Sequence, residues 1–174
     1  MKIVSMRGAI ATAALALLLC GCATRATMPE AGAVFVIVRH AEKGADDPKD
    51  PSLSESGHAR ARRLAERLRD APVSAVYATA YRRTQQTAAP TAVAHRMGVR
   101  TYDASTPTTD FAAQLRTAHP DGTVLVVGHS NTVAAIAGAL CACEVASLRD
   151  DEYDRLIEIR IDRNGNARIQ EQRY

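Results

Sequence analysis

Three short segments of this chain carry residue types that could do chemistry together. Arg39-His40-Ala41-Glu42 follows the apolar run Ala33 to Val38, Arg82-Arg83-Thr84-Gln85-Gln86-Thr87-Ala88 follows a second short apolar stretch, and Gly128-His129-Ser130 follows a third. Guanidinium groups stay charged and present planar forks that match phosphate oxygens. A neutral imidazole offers a lone pair that can attack phosphorus, and a second imidazole can stabilise the charge that develops on the oxygens. Attack on a phosphate ester needs its negative charge neutralised and its geometry held in line. Arg39, Arg83, His40 and His129 suit phosphoryl transfer through a phosphohistidine, with Ser130 an additional phosphate contact. This scheme requires no metal and no other cofactor. The leaving oxygen also needs a proton, for which Asp103 is the first candidate, followed by Glu42 and Asp110.

The surrounding pattern alternates between strand-like and helix-like stretches. Ala33 to Val38 reads as a strand buried on both faces. Ala61, Leu64, Ala65 and Leu68 follow helical spacing, with Arg60, Arg62, Arg63, Arg67 and Arg69 on the solvated face. Val73 to Tyr77 reads as a strand, Tyr81 to His95 as a helix and Val99 to Tyr102 as a short strand. Phe111, Leu115 and Ala118 mark a helix, Thr123 to Val127 a central strand, and Val133, Ile136, Ala137 and Leu140 another helix. Ile157, Ile159 and Ile161 alternate with polar residues before Asn164-Gly165, a tight-turn signal, so the chain closes in a hairpin, with Arg155 to Ile161 expected at the sheet edge. The expected fold is α/β: a three-layer sandwich with a mainly parallel central sheet, helices on both faces and a C-terminal hairpin. In such sheets ligands bind at the carboxyl ends of the strands, where the three segments above would converge. Gly128 is expected to permit a sharp turn, and the amides near Ser130 and Asn131 to offer donors to an anion.

In these residues the chain resembles the histidine phosphatase superfamily, the phosphoglycerate-mutase-like group whose signature begins with an Arg-His pair. The resemblance runs from Ala33 to about Ile161 and includes Leu53-Ser54-Glu55-Ser56-Gly57, similar to that family's entry to its first helix. It implies His40 as nucleophile, Arg39 and Arg83 as phosphate ligands and His129 as the second histidine. Arg83 is preferred to Arg82 because Arg83-Thr84-Gln85-Gln86-Thr87-Ala88 matches the family's Arg-Ala-x-Gln-Thr-Ala. Thr84 replaces the usual alanine and Ala78-Thr79-Ala80 a Ser-Ser-Pro-like segment, two departures expected to leave the charged groups untouched.

The chain ends set the context. Of 174 residues, 1–22 read as a lipoprotein signal peptide: Lys2 and Arg7, an uncharged apolar stretch from Ala9 to Leu19, then Leu19-Cys20-Gly21-Cys22, in which Cys22 is the expected lipidated residue. Residues 23–32 read as a tether and 33–174 as the catalytic domain. The net charge of +3 is partly the leader's, since removing Lys2 and Arg7 leaves 20 basic against 19 acidic residues, a balance that argues against nucleic-acid binding. The expected location is the bacterial envelope, lipid-anchored at the periplasmic face of the outer membrane. The expected partner is a phosphorylated small molecule or an envelope glycan phosphate, and no residue pattern speaks to an oligomeric state. His58, His95 and His119 are expected at the surface, and Cys141 and Cys143 are expected as partly buried thiols rather than a bonded pair. The leading functional expectation is a monoester phosphatase outside the cytoplasm. The alternatives are a phosphohistidine protein phosphatase and a catalytically silent anion-binding lipoprotein. Specificity is expected from the loops Gly44 to Ser52 and Asp103 to Asp110.

Overall fold

The computed structural model describes residues 31–174; the leader, Cys22 and most of the tether lie outside the described residues. Strands β1 (Ala31–Arg39), β2 (Val73–Ala78), β3 (Val99–Thr101), β4 (Gly122–Gly128), β5 (Arg155–Asp162) and β6 (Ala167–Arg173) form one sheet in the order β3-β2-β4-β1-β5-β6. The first four of that order run parallel, and β5 and β6 are added antiparallel. Because successive side chains of a strand point to opposite faces, β1 supplies both cores. Phe35 and Ile37 join one with β4 residues Val124 and Val126, while Val36 and Val38 join the other with Leu125 and Val127.

Each core is closed by a pair of helices. Helices α3 (Thr108–Ala118) and α4 (Val133–Cys141) cover the first through Phe111, Leu115, Ile136 and Leu140. Helices α1 (Glu55–Arg67) and α2 (Arg82–Ala94) cover the second through Leu64, Ala88 and Ala92. Burial of each large aliphatic side chain contributes roughly 1.5–3 kcal/mol, so the central strands hold their register firmly. The expected three-layer α/β architecture is the observed one.

Two expectations about the margins are corrected. Arg155 to Ile161 is not an edge: β5 lies between β1 and β6, and the polar segment Ala167–Arg173 takes the edge instead. Cys141 and Cys143 are bonded to each other. The residue between them, Ala142, adopts a left-handed conformation with φ 53° as it caps α4. The two Cα atoms are 5.2 Å apart, within the range a disulfide needs; a continuous helix would keep a similar separation but turn the two side chains about 200° apart.

Candidate active site

The strand register places the three segments side by side. Arg39, the last residue of β1, lies opposite Gly128, the last of β4, and Ala78 at the end of β2 lies opposite Val127. His40, Thr79 and His129 therefore leave the sheet at one level, and the His40 amide donates to the Gly128 carbonyl at 2.9 Å. Arg39, His40, Lys43, Tyr81, Arg83, His129, Ser130, Asn131, Asp150 and Tyr153 line an open cleft there, together with Ala104 and Thr132; its volume is about 600 Å³. The His40 and His129 ring centroids are 5.5 Å apart.

The loop carrying His40 is clamped from below by α1. Ser54 caps that helix, accepting from the Gly57 amide, and its own amide donates to the Glu42 carbonyl at 2.9 Å. A Cβ on Gly57 would collide with that carbonyl oxygen and come within 3.1 Å of the Glu42 nitrogen, so only glycine permits this approach. The Glu42 carboxylate accepts a forked pair from Arg60, Nε at 3.0 Å and Nη2 at 2.6 Å. Arg60 is thus a clamp rather than part of a solvated face. Across the loop, the Ala41 amide donates to Thr87 Oγ1 at 2.9 Å, and Thr87 Oγ1 donates to the Arg83 carbonyl. Gly128 also owes its place to space: a Cβ there would meet Thr132 Oγ1 at 2.9 Å. Its φ is not positive, so the need for glycine at this position comes from space rather than from a left-handed backbone.

Both imidazoles are held neutral. Burial pushes His40 down to about 3, reinforced by His129, Arg39 and Arg83 and opposed by a hydrogen bond to the Ala41 carbonyl. That bond, from Nδ1 at 2.8 Å, puts the single proton of the neutral ring on Nδ1, because a carbonyl can only accept. Nε2 is left with its lone pair. Burial, with Arg83 and Arg39 adding to it, pushes His129 down to about 4.

The arginines are fixed from one side and open on the other. Arg39 Nη1 donates to the carbonyls of Arg149 at 3.1 Å and Asp150 at 2.8 Å, and its guanidinium lies 4.2 Å from the centre of the Tyr153 ring. Arg83 stacks on Tyr81 at the same distance, 4.2 Å, and makes a longer ion pair of 3.6 Å with Asp50. The Nε of both arginines is buried without a hydrogen-bond partner. A buried unpaired donor is costly; both guanidiniums nevertheless line the cleft, where their fixed charge suits an oxyanion. Arg82, by contrast, pairs with Asp46 outside the cleft.

The structure also separates residues that the sequence grouped. Asp103 is exposed and accepts from the Ser105 amide at 2.8 Å, and it borders a neighbouring hollow rather than the cleft. Glu42 is occupied by Arg60, and Asp110 lies in the first turn of α3. The loop from Gly44 to Ser52 does not line the cleft; Asp46 and Asp47 fold it on itself and Asp50 caps Arg82. His119 is not a surface residue. It is buried, with Nε2 at 3.0 Å from the Tyr77 hydroxyl. Thr79 does touch a functional group, since its Oγ1 lies 3.0 Å from His129 Nε2. Tyr153, Tyr81 and the carbonyls of 149–152 went unrecognised in the sequence; the one available signal was an aromatic residue beside each cluster of charges. Among the described residues, no group of three or more His, Cys, Asp or Glu is arranged to hold a metal ion.

An imidazole with an unengaged Nε2 beside two arginines, at the carboxyl edge of the parallel strands, is an arrangement suited to phosphoryl transfer. Residues 35–105 match the family model of the histidine phosphatase superfamily (branch 1), a stretch that includes Arg39, His40 and Arg83. The match covers less than half of the chain, and the fold brings His129 to the same cleft from outside the matched stretch. No curated protein matches the chain. Its fold is similar to that of the protein histidine phosphatase SixA complexed with tungstate, at 19% identity over 80% of this chain and 96% of that one, with a TM-score of 0.68. It is also similar to a mycobacterial glucosyl-3-phosphoglycerate phosphatase (17% identity, 81% and 97% covered, TM-score 0.60). A phosphoserine phosphatase mutant from Entamoeba histolytica in complex with phosphoserine shares the fold too, at 12% identity, with 79% and 95% covered and a TM-score of 0.60.

Proposed function

We propose that this chain is an exported, lipid-anchored phosphatase that hydrolyses phosphate monoesters through a phosphohistidine on His40, without a metal. The observation that carries the reading is the pair of guanidiniums lining the cleft beside a histidine whose Nε2 lone pair is free. Arg39 and Arg83 take the phosphoryl oxygens. His40 Nε2 attacks phosphorus, the bond to the leaving oxygen breaks, and that oxygen takes a proton. Water then attacks phosphorus, the P–N bond breaks with its electron pair returning to Nε2, and inorganic phosphate leaves.

Asp150 is the one carboxylate among the residues lining the cleft, and it is exposed. The leaving group therefore receives little help from an enclosed acid. This favours substrates whose leaving groups depart readily, and it gives specific support to the second reading, hydrolysis of a phosphohistidine, whose P–N bond does not release an alkoxide. Export is supported by the charged, apolar and cysteine-containing start of the chain and by the Cys141–Cys143 bond, since disulfides persist mainly in oxidising compartments. Small phosphorylated metabolites or envelope glycan phosphates are the proposed partners.

The test is turnover of p-nitrophenyl phosphate, a simple alkyl phosphate and a phosphohistidine peptide, with EDTA present and His40→Ala in parallel. Hydrolysis of the aryl ester far ahead of the alkyl ester, lost in His40→Ala, is the expected result. Preference for the peptide would select the second reading, and binding of phosphate without any turnover would establish a silent anion binder.

A further inference from the structure

His129 is held by a chain of two buried hydroxyls whose protons can be assigned from the distances alone. Thr84 Oγ1 lies 2.7 Å from the Tyr81 carbonyl and 3.0 Å from the Thr79 carbonyl. A carbonyl has no proton to give, so the single hydroxyl proton of Thr84 must occupy those contacts. Thr79 Oγ1 lies 2.8 Å from Thr84 Oγ1. With the Thr84 proton committed, the Thr79 hydroxyl must donate to Thr84, and it can then only accept at its other contact. That contact is His129 Nε2, at 3.0 Å. Thr79 and Thr84 are 1% and 0% exposed, so water does not compete for these bonds.

We propose that Thr79 and Thr84 are a positioning pair that fixes neutral His129 as its Nε2–H tautomer. Nδ1 is thereby reserved as the atom through which His129 exchanges a proton at the phosphoryl group. His129 faces Arg83, Arg39, His40 and Tyr81, and burial, reinforced by the two cations, keeps its ring neutral. In that state the tautomer, rather than the charge, is what its surroundings decide. With Nε2 spent on Thr79, Nδ1 bears the lone pair, and it accepts a proton from the attacking water or from a protonated phosphoryl oxygen and later returns it. The kinetic part of this proposal rests on the phosphatase reading; the tautomer does not.

Long-range proton–nitrogen correlation spectra of the ¹⁵N-labelled chain, recorded near neutral pH, read the tautomer directly. The expected result is a protonated, pyrrole-type signal at His129 Nε2 and a pyridine-type signal at Nδ1. Thr84→Ala, which frees the Thr79 hydroxyl to turn and donate, should give a mixture of tautomers. Thr79→Val should lower kcat for p-nitrophenyl phosphate about tenfold, the effect of one lost hydrogen bond in the transition state, with KM little changed, and Thr79→Ser should restore it. A pyridine-type signal at Nε2 of the wild type would overturn the proposal, as would an unchanged tautomer in Thr84→Ala. A wild type without turnover would refute the phosphatase reading alone, because the spectra still decide the tautomer.

Discussion

Keeping two imidazoles neutral inside a cationic cleft makes this domain sensitive to acid, by an amount that can be worked out. His40 is pushed from 6.5 to about 3. As pH falls below 6.5, the unfolded chain takes up a proton on this residue that the folded chain refuses until about pH 3. The stability His40 contributes is fully present above its unfolded value and is lost progressively between those limits. At pH 5 the loss is on the order of 2 kcal/mol, and His129, pushed to about 4, adds a comparable amount. Urea unfolding of wild type and His40→Asn at pH 8 and pH 5 isolates the effect, because the variant has no imidazole to titrate at that position. The wild type should lose about 2 kcal/mol more than the variant between the two pH values, with equal urea slopes. Saturating inorganic phosphate, which sets negative charge beside both rings, should shrink the difference. Parallel losses in the two proteins would refute the reasoning and show that burial at the end of β1 does not suppress protonation of His40.

Three further outcomes follow from the supports of the cleft. Gly57→Ala should lower the thermal midpoint by about 2–8 °C, since a clash costing about 1–3 kcal/mol outweighs the helical preference for alanine; a rise in the midpoint would show that α1 does not press on Glu42. Asp50→Asn removes the 3.6 Å partner of Arg83, and because such a partly exposed pair is worth about 0.2–1 kcal/mol, phosphate measured as a competitive inhibitor should bind up to about fivefold more tightly. Glu42→Gln should cost stability through the Arg60 clamp yet leave the dependence of kcat on leaving-group acidity unchanged, which a proton donor at that position would not allow.

The residues that carry charge were legible in the sequence because each follows an apolar strand and because the doubly buried strands β1 and β4 announce themselves by continuous apolar runs. Arg39, His40 and His129 could be placed at one sheet edge on that ground alone. What supports them was not legible. Arg39 is held by carbonyls of residues 149 and 150, more than a hundred positions away, and no residue type marks a carbonyl that will accept. Thr79 and Thr84 look like ordinary small residues until the turn into α2 brings their hydroxyls together beside His129. The Cys141–Cys143 bond depends on the left-handed Ala142, a conformation that alanine rarely adopts. Asp103 shows the reverse case, a carboxylate at the right point in the chain whose loop turns it to solvent and to the Ser105 amide.

The central claim is that phosphorus becomes bonded to His40 Nε2 during turnover. The direct measurement is to quench the protein in alkali during hydrolysis of a ³²P-labelled substrate and map the labelled peptide. An alkali-stable, acid-labile phosphoryl group on His40, absent from His40→Asn, is the predicted result. Label on His129 instead, or undiminished turnover by His40→Asn, would contradict the account.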